Sequence, residues 1–197
     1  MFKRFCRVLA KTYYFLLGNL FAMIFYERKY MKSKHFKDKL WGVMSPGWQW
    51  VVTDAISRIF LGINITVPFP VSPGISVGNS KNIYFDIDDL NNFQTIGSYY
   101  QALGAKIIIG KGTYIAPNVG LITTNHDVND PDLHVEGEDI ILGDKCWIGM
   151  NSVILPGVTL GPHTTVGAGS VVTKSFPEGY CIIAGNPAKK IKDIQYS

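Results

Sequence analysis

The sequence predicts a mainly β protein, a solenoid of short parallel strands, with a helical extension at its N-terminus. Three observations predict it. An aliphatic residue returns every six positions, at Leu103, Ile109, Ile115 and Leu121, then at Leu142, Ile148, Ile154, Leu160, Val166 and Val172. The residue after each is usually small, as at Gly104, Gly110, Ala116, Gly143, Gly149, Gly161 and Gly167. Charge is also segregated: residues 1–40 hold ten Lys and Arg against two acids, whereas residues 41–197 hold nine against thirteen. The first forty residues, at +8, and the remainder, at −4, therefore face different surroundings. With 47% hydrophobic and 17% charged residues in 197, the chain has material for a core and is neither a disordered tail nor a collagen-like fibre.

The N-terminal element rests on fifteen uncharged residues, 12–26, rich in Phe, Tyr, Leu and Met. Lys3, Arg4, Arg7 and Lys11 precede them, and Arg28, Lys29, Lys32, Lys34, Lys37 and Lys39 follow. A helix of that length reaches about 22 Å, short of the ~30 Å hydrocarbon core, and no longer apolar run is apparent. The expectation is a helix lying in the interface, with its cations on anionic lipid. A cleaved signal peptide lacks its small-residue site here, and packing on a partner subunit is the competing reading. A second helix is expected near 47–62, where Trp48, Val51, Val52, Ala55, Ile59 and Phe60 recur at helical spacing; its stripe reads as packing. Pro68, Pro70 and Pro73 then end any helix.

The six-residue period reads as three short strands per eighteen-residue coil, with the aliphatic pointing into a triangular prism. The small residue follows where turn backbone is crowded. Ile75-Ser76-Val77-Gly78 suggests that irregular coils begin before Leu103. The register breaks once, over the twenty-one residues from Leu121 to Leu142. Taking 136–141 as a coil side leaves nine residues, 127–135, as an extruded polar loop around Asn129-Asp130-Pro131. Loops thrown out of a rigid scaffold tend to carry function, and His126 stands at the entrance.

The segments Ile115-Ala116-Pro117-Asn118 through Thr124-Asn125-His126-Asp127, and Ile141-Leu142-Gly143-Asp144-Lys145-Cys146-Trp147-Ile148-Gly149, resemble the hexapeptide-repeat acyltransferases. So do Ile154-Leu155-Pro156-Gly157-Val158, Val166-Gly167-Ala168-Gly169-Ser170-Val171-Val172-Thr173-Lys174 and Ala184-Gly185-Asn186-Pro187-Ala188. The resemblance is to the maltose and galactoside O-acetyltransferases and to those of capsule, colanic acid and lipopolysaccharide, and it covers about residues 95–194. It implies a left-handed parallel β-helix, acetyl-CoA as co-substrate with no metal required, and a homotrimer with active sites between subunits. The domains expected are 1–70, a basic, helical, membrane-associated segment; 71–180, the catalytic β-helix; and 181–197, a C-terminal tail packing on it.

Acetyl transfer to a hydroxyl needs a base, and imidazole titrates in the useful range. His126 alone matches the family's catalytic position, which makes it the general base. His35 lies in the basic segment, and His134 and His163 read as solvated. The second ring nitrogen of His126 needs an acceptor, for which Asn125, Asp127 or a backbone carbonyl would serve. The oxyanion needs a donor, such as a backbone N–H of a neighbouring coil. Where the sugar acetyltransferases use an Asn one coil upstream to hold the acceptor, this chain offers Gln101. Substrate contacts are thus assigned to Gln101, Asn125 and Asp127. By position match, Trp147, Gly149, Ala168, Thr173 and Lys174 line the cofactor groove, and Lys189 and Lys192 meet the nucleotide phosphates.

The expected function is O-acetylation of a cell-surface glycan or its lipid-linked sugar precursor, in the cytoplasm at the inner face of the membrane. N-acetylation of a nucleotide-linked amino sugar or small amine, and a non-catalytic trimeric scaffold, are the alternatives. Nucleic acid is excluded as a partner because the folded part carries few cations. The three cysteines, Cys6, Cys146 and Cys181, are too widely spaced for a disulfide framework or a CxxC motif, and suit a reducing compartment. Four histidines do not supply the three-histidine zinc site of the solenoid carbonic anhydrases.

Overall fold

A computed structural model describes residues 2–37 and 42–195, which form two compact units, Met1–Pro73 and Gly74–Ser197. Asp38, Lys39 and Trp41 lie outside the described residues.

The first unit pairs α1, Phe2–Phe25, with α2, Gly47–Leu61. Gly18 lets the α1 backbone approach Trp48, where a Cβ would lie 3.0 Å from the indole ring. Phe15 and Phe36 both meet that indole edge-on, at 5.4 and 4.9 Å. Gly62 ends α2 in the left-handed region, φ 69°, its N–H donating to the Arg58 carbonyl. Beneath these helices Asp54 and Arg58, with side chains only 1% exposed, make an ion pair at 2.8 Å. Asp54 Oδ2 also accepts from the Tyr26 hydroxyl and the Val71 N–H, each at 2.9 Å. Arg58 donates onward to the carbonyls of Val67 at 2.7 Å and Phe69 at 3.0 Å. One buried pair therefore clasps the end of α1, the middle of α2 and the segment that follows it.

The helical run is longer than the sequence suggested. Val8–Phe25, interrupted only by Lys11, is an 18-residue stretch long and apolar enough to cross a bilayer, and 11% of it is buried. A single lysine split the run in the sequence, but the helix continues through it. Leu9, Tyr13, Leu16, Leu20, Met23 and Ile24 form its exposed stripe.

The second unit is a prism of five coils. The first coil holds β1 (Ser76–Val77) and β2 (Ile83–Phe85), the second β3 (Tyr99–Tyr100), β4 (Ile107–Ile109) and β5 (Tyr114–Ile115). The third holds β6 (Gly120–Leu121), β7 (Ile140–Leu142) and β8 (Trp147–Ile148), the fourth β9 (Val153–Ile154), β10 (Thr159–Leu160) and β11 (Thr165–Val166). The fifth holds β12 (Val171–Val172) and β13 (Cys181–Gly185), and β14 (Ala188–Asp193) folds back antiparallel on β13. Strands stack as β1-β3-β6-β9-β12, as β2-β4-β7-β10 and as β5-β8-β11-β13, all parallel. This is the left-handed parallel β-helix expected from the resemblance. Residues 181–185 supply the last strand of the third sheet.

Nine of the ten periodic aliphatics are buried, Ile109 through Val172, each worth roughly 1.5–3 kcal/mol of burial. Leu103 is 39% exposed. Tyr100, fully buried, takes the inward position instead and pairs with Leu121 twenty-one residues on rather than eighteen, so three extra residues, Leu103 among them, sit at that corner. In the first coil Asn92 stands where a strand of the third sheet is missing. Its side chain donates to the Thr113 carbonyl at 2.8 Å and accepts from the Ile115 N–H at 3.0 Å. Corner hydroxyls are satisfied by backbone, as when Thr113 donates to the Gly143 carbonyl at 2.7 Å.

Candidate functional site

The loop between β6 and β7 is larger than expected. Ile109 pairs with Leu142 thirty-three residues on, whereas Leu142 pairs with Leu160 at eighteen, so fifteen residues are extruded rather than nine. Residues 136–139, expected as part of a coil side, form no strand and lead into β7 at Ile140. The loop is an antiparallel hairpin: the Asp127 N–H donates to the Leu133 carbonyl at 2.9 Å and the Val135 N–H to the Asn125 carbonyl at 3.0 Å. Asp127 Oδ1 accepts from the Asn129 and Asp130 N–H groups at 2.8 and 3.3 Å, an Asx turn that shapes the tip. At the base, Gln101 Oε1 accepts from the N–H groups of Thr123 and Thr124, both at 2.9 Å. The Thr124 hydroxyl closes the two arms by donating to the Val135 carbonyl at 2.7 Å.

His126 is exposed on this hairpin, with Nδ1 2.6 Å from the Pro131 carbonyl oxygen. A carbonyl can only accept, so in the neutral ring Nδ1 carries the proton and Nε2 the lone pair. That is the tautomer a general base requires. Of the three acceptors open in the sequence, the backbone carbonyl is the one in place. Asp127 is committed to the turn. Asn125 is exposed beside His126, and the carboxamide oxygen of Gln101 is spent on the loop base. His134, expected to be solvated, is exposed but lies against the His126 ring with centroids 4.2 Å apart. His163 instead stacks on Tyr180 at 4.9 Å.

The other candidates stand on two edges of the prism. Thr173 and Lys174, exposed after β12, lie on the edge from which the hairpin emerges: the Ile122 N–H bonds to the Ile154 carbonyl and the Leu155 N–H to the Val172 carbonyl, stacking the three corners. Trp147, 59% exposed, lies on the third sheet. Gly149 and Ala168 follow that sheet on the next edge, where a Cβ on Gly149 would lie 2.7 Å from the Ala168 nitrogen. Lys189 and Lys192 are exposed on β14, with Lys192 opposite Ile182. A single chain does not gather these residues around His126. The Pro131 carbonyl and His134 were missed in the sequence. The Asp-x-Asn-Asp-Pro turn was their signal, since folding back there sets 134 opposite 126.

Residues 139–174 match the family model for bacterial transferase hexapeptides (six repeats). A provisionally named acetyltransferase of Saccharomyces cerevisiae, YJL218W, is 34% identical over 143 residues, covering 71% of this chain and 69% of its own. The galactoside O-acetyltransferase of Escherichia coli K12 is 37% identical over 129 residues, covering 63% of this chain and 60% of its own. The crystal structure of a hexapeptide-repeat acetyltransferase from Vibrio cholerae, complexed with acetyl coenzyme A, superposes with a TM-score of 0.47 at 24% identity, covering 66% of this chain and 64% of that one.

Proposed function

The chain belongs to the hexapeptide-repeat acetyltransferase family, and from that membership we propose that it transfers an acetyl group from acetyl-CoA to a hydroxyl of a cell-surface glycan or its lipid-linked sugar precursor. The observation that carries the reading is the His126 imidazole, whose Nδ1–H donates to the Pro131 carbonyl and whose Nε2 is left open. Nε2 takes the hydroxyl proton as the oxygen attacks the thioester carbonyl carbon. The new C–O bond forms, the C–S bond breaks, and the departing thiolate recovers the proton from Nε2. The Pro131 carbonyl stabilises the imidazolium formed between those steps. A sugar hydroxyl as acceptor is supported by the galactoside O-acetyltransferase among the relatives.

The donor would lie in a groove between two prisms, with Trp147, Gly149, Ala168 and Thr173 along it and Lys174, Lys189 and Lys192 toward the phosphates. The split of these residues between two prism edges supports a homotrimer, in which one subunit's hairpin edge meets the next subunit's third sheet. The cationic, apolar α1 supports a place on the inner face of an anionic membrane, where a lipid-linked acceptor would be met.

Replacing His126 with Ala should lower turnover by roughly 10²- to 10⁴-fold while coenzyme A binding survives, because the residue stands on an exposed hairpin away from the core. Steady-state kinetics with sugar acceptors, beside calorimetric titration of coenzyme A, would check this. Wild-type turnover in the variant would remove His126 from the chemistry.

A further inference from the structure

The geometry points to His134 as a positioning residue that holds the plane of the His126 imidazole, an inference resting on the reading of His126 as the base. The hairpin's hydrogen bonds create the pairing. Asp127 N–H to Leu133 and Val135 N–H to Asn125 flank residues 126 and 134, which themselves exchange no backbone bond. That makes them a non-hydrogen-bonded antiparallel pair, the kind with Cα atoms only about 4.5 Å apart and both side chains on one face. Their rings accordingly lie 4.2 Å apart, centroid to centroid, tilted by 38°.

The need for such a contact follows from where His126 sits. The hairpin is exposed from residue 128 to 136, so no core wall fixes the ring. The Pro131 carbonyl anchors one ring atom, Nδ1, and coupled rotation about χ1 and χ2 can still swing the ring plane around that hydrogen bond. A second flat ring over its face removes the swing and fixes the direction in which Nε2 points. The contact is one of ring against ring, tilted by 38°, and among the described residues no hydrogen bond joins the two side chains. Any flat ring of similar size should therefore serve. Misplacing a reacting atom by an ångström can cost on the order of 10²-fold in rate, so the loss should be seen in turnover and not in binding.

The test compares His134→Ala, His134→Phe and His126→Ala on one sugar acceptor, with long-range ¹H–¹⁵N spectra of ¹⁵N-histidine-labelled full-length protein. His134→Ala should lower kcat by roughly 10- to 100-fold with both KM values unchanged, and His134→Phe should recover kcat to within about threefold. In the spectra His126 should be a single Nδ1–H tautomer in the wild type and in His134→Phe, and a mixture in His134→Ala. Wild-type kcat in His134→Ala, an equal loss in the Ala and Phe variants, or an unchanged His126 tautomer in His134→Ala would overturn the inference. An active His126→Ala would instead overturn the base assignment, while the spectra still decide whether His134 orders the ring.

Discussion

At single positions the solenoid is ruled by how closely one coil's backbone lies on the next. A Cβ built on Gly143 would lie 2.6 Å from the Pro162 nitrogen and 2.7 Å from the Gly161 carbonyl carbon, and both are main-chain atoms that cannot turn aside. Gly143→Ala should therefore destabilise the β-helix by about 1–3 kcal/mol, read as a lower denaturant midpoint at unchanged slope. The same change at Gly169, which has open space around it, meets only the strain of its positive φ of 71°. This level of the fold was legible in the sequence, because an inward aliphatic followed by a small residue is a direct record of a strand meeting a crowded corner. Leu103 shows its limit. The period continued through it by coincidence, while the true inward residue, Tyr100, was too large to be recognised as one of an aliphatic series. Cys146 was also legible only in part: burial pushes its thiol up and keeps it protonated, so it is packing material and not a nucleophile.

At the scale of elements, the two helices of the first unit show what a helical stripe conceals. Asp54 and Arg58, four residues apart on α2, are both buried, and Asp54 Oδ2 alone gathers Tyr26, Arg58 and Val71. Buried pairs of this kind are costly to break singly, because the remaining charge loses its partner. Removing residues 1–26 would take Phe15 from Trp48 and Tyr26 from Asp54, so a truncated chain is a poor probe of the membrane proposal. Single changes on the exposed stripe are better. Leu16, 64% exposed, and Leu20, 49% exposed, can each become Asp without entering the packed face. The full-length protein should co-sediment with anionic vesicles, less so at high salt as the roughly 1 kcal/mol from each Lys or Arg is screened. Leu16→Asp and Leu20→Asp should weaken binding at both salt concentrations. Failure of the full-length chain to bind anionic vesicles at low salt would leave the stripe to protein packing. The hairpin was legible as an interruption of register and not as a ladder. A period can count the residues thrown out, but the pairing of 126 with 134 depends on turn geometry that only the folded backbone fixes.

At the scale of the whole molecule, the candidate site is divided. His126 and Lys174 stand along one edge of the prism, while Trp147, Gly149 and Ala168 belong to the third sheet and the edge beyond it. Three flat sheets forming the faces of a triangular prism cannot bring two different edges of one chain together, however the side chains turn. A neighbouring copy can, through a head-to-tail contact in which unlike surfaces meet and the rotation closes on itself. This makes a prediction about mixtures. On the proposed reading His126→Ala would lack the base but keep an intact groove, and Ala168→Glu would place a charge in the groove but keep the base. Each variant alone should be nearly inactive. When both are co-expressed in equal amounts, one contact in about four joins the intact His126 edge of one subunit to the intact groove of the next, if assembly is random. Activity should then recover to about a quarter of wild type in the mixture, while simply pooling the two purified variants without exchange should recover none. If co-expression restores nothing although mixed oligomers are isolated by two affinity tags, each site is built within one chain and the trimeric reading of the cofactor groove fails.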